Sequence, residues 1–283
     1  MTTPLAGAIQ EVGTVTRVER LGDLVELTVQ LPRLARSVEP GQFAQLRCSS
    51  SIVPLLRRPF SVAYVDGDRC SFVFDEVGVG TRLLGALREG DALDVLGPLG
   101  RPFAVEAARG PVICISGGVG CAPFPILIKA LRAANVIDIT VYNGASSVAS
   151  LYPGERFQRG DAAIRIIEAT DDGSRGRHGY VTELIDVASL RVASAVFACG
   201  PNAMLAEVAR IVEDARVSAT AVMQASLEAP MGCGFGTCLG CALPMRAVSR
   251  EPAWALCCTD GPVMDMRGVD WREVLAMPAP DAA

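Results

Sequence analysis

Cysteines near the C-terminus restrict what this part of the chain can fold into. Cys233, Cys238 and Cys241 are spaced as C-x4-C-x2-C, and a fourth thiol follows at Cys257 or Cys258. This is the spacing of plant-type [2Fe–2S] sites, in which thiolates hold both irons. The glycines between these cysteines let the backbone fold tightly and direct N–H groups at the sulfurs. The spacing therefore predicts a chain that carries electrons.

A structural zinc ion is the alternative for this motif, because four thiolates also suit zinc. Zinc sites usually carry their thiols as two C-x2-C-like pairs. Here one gap holds four residues and the last two thiols are adjacent, which favours the iron–sulfur cluster. A non-catalytic scaffold with a zinc knot and an inherited nucleotide fold would be colourless, so a visible spectrum separates the two hypotheses.

Composition and charge narrow the class of protein. The 283 residues are 50% hydrophobic, enough for two or three domains with substantial cores. A net charge of −5 offers no electrostatic footprint for nucleic acid. Ten cysteines without a signal-peptide pattern at the start of the chain indicate a reducing cytoplasm. Residues 111–128 carry no charge, but their glycines and prolines predict a buried strand, loop and helix rather than a membrane span.

Three regions follow one another along the chain. Residues 7–102 contain short alternating runs separated by turns, which predict an antiparallel barrel or sandwich; an all-β binding module without a cofactor is the alternative. Residues 110–225 alternate apolar strands with helices, as in α/β nucleotide-binding sheets. We therefore predict an α+β multidomain fold. It has an antiparallel β barrel at 1–106, an α/β parallel-sheet domain at 107–223 and a small cluster domain at 224–283.

Two motifs in the barrel region suit a phosphorylated cofactor. The first is Arg57-Arg-Pro-Phe-Ser61, in which arginine can pair a phosphate and the serine hydroxyl can reach a ring nitrogen. The second is Gly78-Val-Gly-Thr81, whose N–H groups and hydroxyl can take another phosphate. Each motif is weak evidence by itself.

Two further motifs lie at the ends of predicted apolar strands in the α/β region. Ser116-Gly-Gly-Val-Gly-Cys-Ala-Pro123 joins a buried strand to a helix, where glycines allow close approach of a pyrophosphate. It is not the GxGxxG fingerprint of a conventional Rossmann domain. Cys199-Gly-Pro201 ends another strand, at the sheet edge where ligands bind, although a plain turn with a buried thiol has the same pattern.

The order of these four motifs resembles the ferredoxin–NADP reductase superfamily, in which a β barrel holds a flavin and an α/β domain holds a nicotinamide nucleotide. The C-terminal part narrows the resemblance. Residues 226–241, the run Cys258-Thr-Asp-Gly-Pro-Val263 and the segment 172–182 are similar to the electron-transfer subunits of class 1B dihydroorotate dehydrogenases. The resemblance covers nearly the whole chain.

The resemblance implies that the chain binds FAD and one [2Fe–2S] cluster, and that its partner is an FMN-containing dihydroorotate dehydrogenase catalytic subunit, in a heterotetramer with two of each. Electrons would pass from FMN through the cluster and FAD to NAD, in pyrimidine biosynthesis. The positions that match the family's cofactor motifs are Arg58, Pro59, Phe60, Ser61, Val73, Phe74, Asp75, Gly80 and Thr81 for the flavin, Gly117, Gly118 and Gly120 for the nucleotide, and Cys199 and Gly200 beside the nicotinamide. Asp75 departs from the basic or neutral residue usual in the family.

The resemblance also assigns the fourth cluster ligand. The family's last cysteine precedes an x-Asp-Gly-Pro-Val run, and Cys258 has that relation. The implied ligands are thus Cys233, Cys238, Cys241 and Cys258, with Cys257 as a neighbouring thiol that could compete.

The closest alternative is another enzyme of the same build, a flavin subunit of a sulfhydrogenase or of an NAD(P)H:ferredoxin oxidoreductase. Asp171 and Asp172 favour NAD over NADP because they would repel a 2′-phosphate, although Arg175 and Arg177 are near. We predict no acid–base catalyst, and His178 is expected to be a solvated loop residue. The thiols without metal spacing are expected to pack as small hydrophobic groups; they are Cys48, Cys70, Cys114 and Cys121.

Overall fold

The N-terminal part of the protein is a closed barrel. The structure, a computed structural model, describes residues 7–247 and 253–277; residues 1–6, part of the segment inspected for a signal peptide, lie outside that range. Six antiparallel strands close in the order β1-β2-β5-β4-β3-β6. They are β1 (Ile9–Leu21), β2 (Leu24–Gln30), β3 (Phe43–Leu46), β4 (Arg58–Asp66), β5 (Arg69–Asp75) and β6 (Ala92–Leu99). The predicted antiparallel barrel is confirmed.

Side chains alternate between the interior of this barrel and its outer face, as the period of a strand requires. Val25, Leu27 and Val29 on β2 fill the interior. Two short helices, α1 (Pro32–Ser37) and α2 (Val79–Gly85), connect the strands. The sequence did not predict β6, because Gly97 and Pro98 resemble a turn. In the structure Gly97 keeps β6 in the barrel, since a side chain there would press on Ala44 of β3.

The middle of the chain is a parallel sheet covered by helices, as predicted. Its strands are β7 (Val112–Gly117), β8 (Ile139–Ala145), β9 (Arg165–Thr170), β10 (Arg177–His178), β11 (Ala195–Cys199) and β12 (Val222–Ser226). Its helices are α3 (Phe124–Ala133), α4 (Gly154–Gln158), α5 (Val187–Val192) and α6 (Asn202–Asp214). Every residue of β8 is buried, which is typical of a strand covered on both faces. The uncharged residues 111–128 form β7, a short 3-10 turn and α3, which confirms the buried strand, loop and helix.

The C-terminal region is attached to this sheet. Strand β15 (Val263–Asp265) pairs antiparallel with β12. It is therefore the seventh strand of the sheet, whose order is β10-β9-β8-β7-β11-β12-β15. A hairpin of β13 (Ala242–Met245) and β14 (Ala253–Leu256) precedes it, and α7 (Trp271–Ala276) follows. One continuous core joins Phe43 of the barrel, Ile115 of the sheet and Cys258. The loop with the cysteine motif is therefore held against both other parts. Among the described residues, no helix combines the length and apolar character that crossing a membrane requires.

Candidate redox site

The four predicted cluster thiols form two pairs. The sulfurs of Cys241 and Cys258 lie 3.2 Å apart. Cys233 Sγ accepts the backbone N–H groups of Phe235 and Cys238, each at 3.5 Å. Cys241 Sγ accepts the N–H of Cys258, also at 3.5 Å. The backbone thus already directs N–H groups at the sulfurs.

This pairing suits two irons better than one metal ion. A [2Fe–2S] cluster takes two thiolates at each iron. Gly232 and Gly240 lie beside the sulfur of Cys238, and a Cβ on either would contact it at 3.4 or 3.6 Å. The donor set and its surroundings therefore fit the two-iron group.

The two adjacent thiols at the end of the motif face different ways. Cys258 Sγ points to Cys241, while Cys257 Sγ donates to the carbonyl of Leu227 at 3.4 Å. Cys257 is fully buried, and burial raises the pKa of its thiol above the ordinary range. This is the arrangement that Cys258 as fourth ligand requires.

The thiols also differ in their protonation in the absence of metal. Burial opposes ionisation of Cys233, but the N–H groups of Phe235 and Cys238 outweigh it and lower the pKa to about 7. Burial, and then the hydrogen bond with Cys241, raise the pKa of Cys258 to about 12. Since metals bind the thiolate form, Cys233 is the more ready ligand of the two.

The two predicted phosphate motifs of the barrel lie side by side. A Cβ at Gly80 would lie 3.2 Å from Cγ and 3.3 Å from Nε of Arg58, so the missing side chain leaves space for the arginine. Arg57 points elsewhere and forms an ion pair with Asp94 of β6 at 2.7 Å. Thr81 Oγ1 accepts the N–H of Gly78 at 3.0 Å and donates to its carbonyl, so the hydroxyl is used within the loop.

The flavin motif on β4 divides between two faces of the strand. Phe60 packs on the barrel interior with its ring centroid 5.1 Å from that of Phe74. Pro59 and Ser61 alternate with Phe60 and pair with Gln45 and Phe43 of β3, on the outer face. Val73 and Phe74 are 1% exposed, whereas Asp75 is partly exposed, so only the last of these three offers a side chain to a ligand.

The nucleotide loop and the Cys-Gly-Pro motif meet at the carboxyl ends of two neighbouring parallel strands. Ser116 of β7 is in register with Cys199 of β11. A Cβ at Gly120 would overlap the carbonyl of Cys199 and the Cα of Gly200, so only glycine allows this approach. Beneath the loop, the buried Ser116 hydroxyl donates to the Asn143 side chain at 2.9 Å and holds the end of β7 in place. Burial raises the pKa of the Cys199 thiol to about 12, so this thiol is neutral.

Other sequence expectations are also met. Cys48, Cys70, Cys114 and Cys121 are all buried, which confirms that they pack as small hydrophobic groups. His178 is exposed as expected, although it belongs to the short edge strand β10 rather than a loop.

Sequence reasoning missed one polar residue at this site. Gln45, in the apolar strand Phe43-Ala-Gln-Leu46, is fully buried, and its amide lies against Gly234 of the cluster loop. Among the described residues, neither its Nε2 nor its Oε1 has a hydrogen-bond partner. The available signal was a glutamine in the middle of an apolar strand.

Comparisons with known proteins agree with this geometry. The sequence model of the iron–sulfur cluster binding domain of dihydroorotate dehydrogenase B matches residues 228–270. The electron transfer subunit of dihydroorotate dehydrogenase B (NAD(+)) from Desulforamulus reducens is 36% identical over 248 residues, which span 85% of this chain and 90% of that protein. The subunit of the same name from Geobacillus kaustophilus is 36% identical over 242 residues, which span 84% of this chain and 89% of that protein.

This chain belongs to the family of dihydroorotate dehydrogenase B electron transfer subunits. The family assignment covers the barrel, the parallel sheet and the cluster region together, because the matched relatives extend over all three. The family's oxidoreductase chemistry, with FAD, a [2Fe–2S] cluster and NAD, suits the side chains described above.

Solved structures show the same architecture. The NADH-dependent reduced ferredoxin-NADP oxidoreductase, studied for flavin-based electron bifurcation, superimposes with a TM-score of 0.78 at 28% identity, over 94% of this chain and 92% of that one. The cytochrome P450 reductase GcoB of Amycolatopsis has a TM-score of 0.64 at 22% identity, over 76% of this chain and 68% of its own. The second likeness shows the fold alone.

Proposed function

We propose that this chain relays electrons from the FMN of a dihydroorotate-oxidising partner subunit to NAD+, through a [2Fe–2S] cluster and an FAD that it binds. The observation that carries the proposal is the contact between Gly234, next to Cys233, and Gln45 of β3. Strand β3 pairs with β4, which carries the flavin motif. The cluster and flavin sites therefore adjoin, as an electron relay needs.

Each motif has a defined part in this function. When bound, the cluster passes single electrons and the flavin exchanges a hydride with the nicotinamide. The four thiols of Cys233, Cys238, Cys241 and Cys258 hold the cluster, and Cys257 stays in the core as a neutral thiol. Arg58 and the loop at Gly80 and Thr81 bind the pyrophosphate of FAD, and Ser61 lies on the outer face of the barrel toward the ring.

The parallel sheet supplies the NAD site in this proposal. Gly117, Gly118 and Gly120 let the pyrophosphate approach the backbone at the end of β7. Cys199 and Gly200 lie on the neighbouring strand end, beside the nicotinamide. Asp171 and Asp172 follow β9 at the same edge of the sheet, and their charge supports NAD rather than NADP.

The names of the relatives support the identity of the partner, since each is the electron transfer subunit of a larger dihydroorotate dehydrogenase B. We infer a complex with an FMN-containing catalytic subunit, with two copies of each chain, acting in pyrimidine biosynthesis. The substrate site for dihydroorotate then belongs to the partner.

The division of the chain into 1–106, 107–223 and 224–283 is part of the proposal. The first boundary is supported by the last barrel strand, which ends at Leu99, and by the first sheet strand, which begins at Val112, whereas the second boundary falls within β12 (Val222–Ser226). A cytoplasmic location is also proposed, because all ten cysteines are free thiols, as in a reducing compartment.

The decisive experiment is anaerobic purification of the chain with its bound partners from the native host, followed by mixing with dihydroorotate and NAD+. Formation of NADH that requires both subunits is the expected result. The dihydroorotate assignment would be overturned by a complex whose flavin is reduced by NADH but which forms no NADH from dihydroorotate and NAD+. That result would favour a ferredoxin oxidoreductase or sulfhydrogenase subunit. A colourless protein that contains zinc would overturn the redox function altogether.

A further inference from the structure

Glu26 is the one charged residue that is buried within residues 7–247 and 253–277. It lies on β2, beside Leu24 and opposite Val73 of β5, on the outer face of the barrel that the parallel sheet covers. A buried carboxylate loses its hydration, and this loss is offset only by charged or hydrogen-bonding partners. The partners of Glu26 therefore indicate its role.

The partners of the Glu26 carboxylate come from the parallel-sheet part of the chain. The Tyr152 hydroxyl donates to Glu26 Oε2 at 3.3 Å. Arg156, in α4, and Arg159, just after it, form ion pairs with the carboxylate at 3.6 Å each. Burial, and then the charge of Glu26, raise the pKa of Tyr152 above its ordinary range, so the hydroxyl keeps its proton and donates. One carboxylate of the barrel thus contacts three side chains of the sheet part.

Both arginines also contact a second strand of the barrel. Glu19 of β1 is directly opposite Glu26, and like charges at such a pair repel each other. Arg156 lies between the two carboxylates, with Nη2 2.5 Å from Glu19 and Nη1 3.6 Å from Glu26. The guanidinium of Arg159 lies 3.6 Å from the ring centroid of Tyr64 on β4. These contacts restrict how the sheet can lie on the barrel.

The same network continues to the base of the nucleotide loop. The backbone carbonyl of Tyr152 accepts the side-chain amide of Asn143 at 2.8 Å, and Asn143 Oδ1 accepts the Ser116 hydroxyl at 2.9 Å. All three residues are buried, and Ser116 directly precedes Gly117 of the loop. A continuous line of contacts therefore joins Glu26 of the barrel to the strand end that carries the nucleotide motif.

We propose that Glu26 is a positioning residue for hydride transfer, which holds the nucleotide loop of the sheet at a fixed place relative to the flavin motif of the barrel. The assignment rests on the FAD and NAD of the proposed function, whose motifs lie on these two different parts. The step moves one proton with two electrons, as a hydride, between the nicotinamide and the flavin, and Glu26 acts on it through position alone.

The physical reason lies in what a buried ionic network contributes. It adds little stability over apolar packing of the same volume, but it selects one geometry. Hydride transfer depends on that geometry, since a displacement of about 1 Å costs about a hundredfold in rate. The network should therefore matter more for the transfer rate than for folding.

The test uses two variants that keep the shape of the network. Glu26→Gln removes the charge, and Tyr152→Phe removes the hydroxyl while the backbone bond to Asn143 remains. Asp161→Asn is the matched control, because Asp161 forms a half-buried ion pair with Arg132 between α3 and the segment before β9, within the sheet part. The variants are purified in complex with the partner, and reduction of FAD by NADH is followed by stopped-flow absorbance.

Glu26→Gln is expected to lower the rate at saturating NADH about tenfold or more, and Tyr152→Phe about threefold, because the two motifs are held less firmly. The half-saturating NADH concentration should stay within about twofold of wild type, since the nucleotide loop lies wholly on the sheet. FAD content should not change, because the flavin motif lies wholly on the barrel. Asp161→Asn should lose thermal stability and keep the wild-type rate.

Other results overturn the assignment. Wild-type saturating rates in both network variants would show that Glu26 only stabilises the fold. An equal loss of rate in Asp161→Asn would assign the loss to lower stability rather than to position. A raised half-saturating NADH concentration with an unchanged rate would place Glu26 in nucleotide binding instead. A wild-type complex whose flavin is not reduced by NADH would overturn the proposed function itself, and this outcome is visible before any variant is made.

Discussion

The sulfurs of Cys241 and Cys258 lie 3.2 Å apart, although 17 positions separate them in the chain. The β13–β14 hairpin brings them together, because Ala242 pairs with Leu256 and the N–H of Cys257 donates to the carbonyl of Cys241 at 2.9 Å. The hairpin thus positions Cys241 and Cys258 next to each other, while the glycine-rich loop surrounds Cys233.

Replacing the fourth thiol tests this pairing. Cys258→Ser is expected to abolish the [2Fe–2S] spectrum and most of the iron and acid-labile sulfide, because a hydroxyl replaces the sulfur that faces Cys241. Cys257→Ser, the adjacent control, should keep both, since that thiol donates to Leu227 instead. Iron and sulfide analysis of anaerobically purified protein measures the effect. Loss of the cluster in Cys257→Ser with retention in Cys258→Ser would reverse the ligand assignment.

The two adjacent arginines should separate function from stability. Arg58→Ala is expected to weaken FAD binding about tenfold to a hundredfold, because a charge-assisted bond to the pyrophosphate is lost. Arg57→Ala should instead lower the free energy of unfolding by about 1–2 kcal/mol, because it breaks a half-buried ion pair with Asp94.

Flavin fluorescence titration and denaturant unfolding measure these two quantities in both variants. Each arginine serves as the control of the other, since Arg57 directly precedes β4 and Arg58 is its first residue. Equal losses of FAD affinity in the two variants would mean that Arg57 also reaches the cofactor.

The nucleotide loop depends on glycine at one position. Gly120→Ala is expected to raise the KM for NAD+ at least tenfold, because its Cβ would overlap the backbone of Cys199 and push the loop from the strand end. FAD and cluster content should stay at wild-type levels, since both sites lie elsewhere. Steady-state kinetics and cofactor analysis measure this.

Gly110→Ala is the matched control for that variant. Its added Cβ would meet the side chain of Ser194 at 3.5 Å, an ordinary contact, at the opposite end of β7. It should therefore leave the KM unchanged. A normal KM in Gly120→Ala would remove this loop from the nucleotide site.

The ionisation of the cluster thiols predicts a pH-dependent reactivity. The pKa of Cys233 is lowered to about 7. In cluster-free protein, iodoacetamide should therefore label Cys233 faster as the pH rises through about 7, and more slowly below that pH, where the thiolate is protonated. Cys258, with a pKa raised to about 12, should stay unlabelled up to pH 9. Peptide mapping by mass spectrometry measures both. Cluster-loaded protein is the control, because the irons should protect both thiols, and faster labelling of Cys258 than of Cys233 would contradict the assignment.

Sequence patterns predicted most of the fold and the motifs of the site, for local reasons. The C-x4-C-x2-C spacing and the glycine loop after β7 depend on neighbours in the chain, so they are visible in the sequence. Strand β15 was not predicted, because Val263–Asp265 is only three residues long and forms a strand through its pairing with β12. Gln45 was missed for a similar reason, since only its burial against Gly234 distinguishes it from a solvated glutamine.

The sequence alone determined the classes of cofactor, because thiol spacing and glycine loops are short-range features whose chemistry depends on a few adjacent residues. Only the tertiary structure decided how these sites meet. The barrel brings Gln45 beside the flavin motif, the added strand β15 ties the cluster region to the sheet, and the hairpin sets Cys258 rather than Cys257 opposite Cys241. These relations join residues far apart in the chain, and the packing of one shared core fixes them.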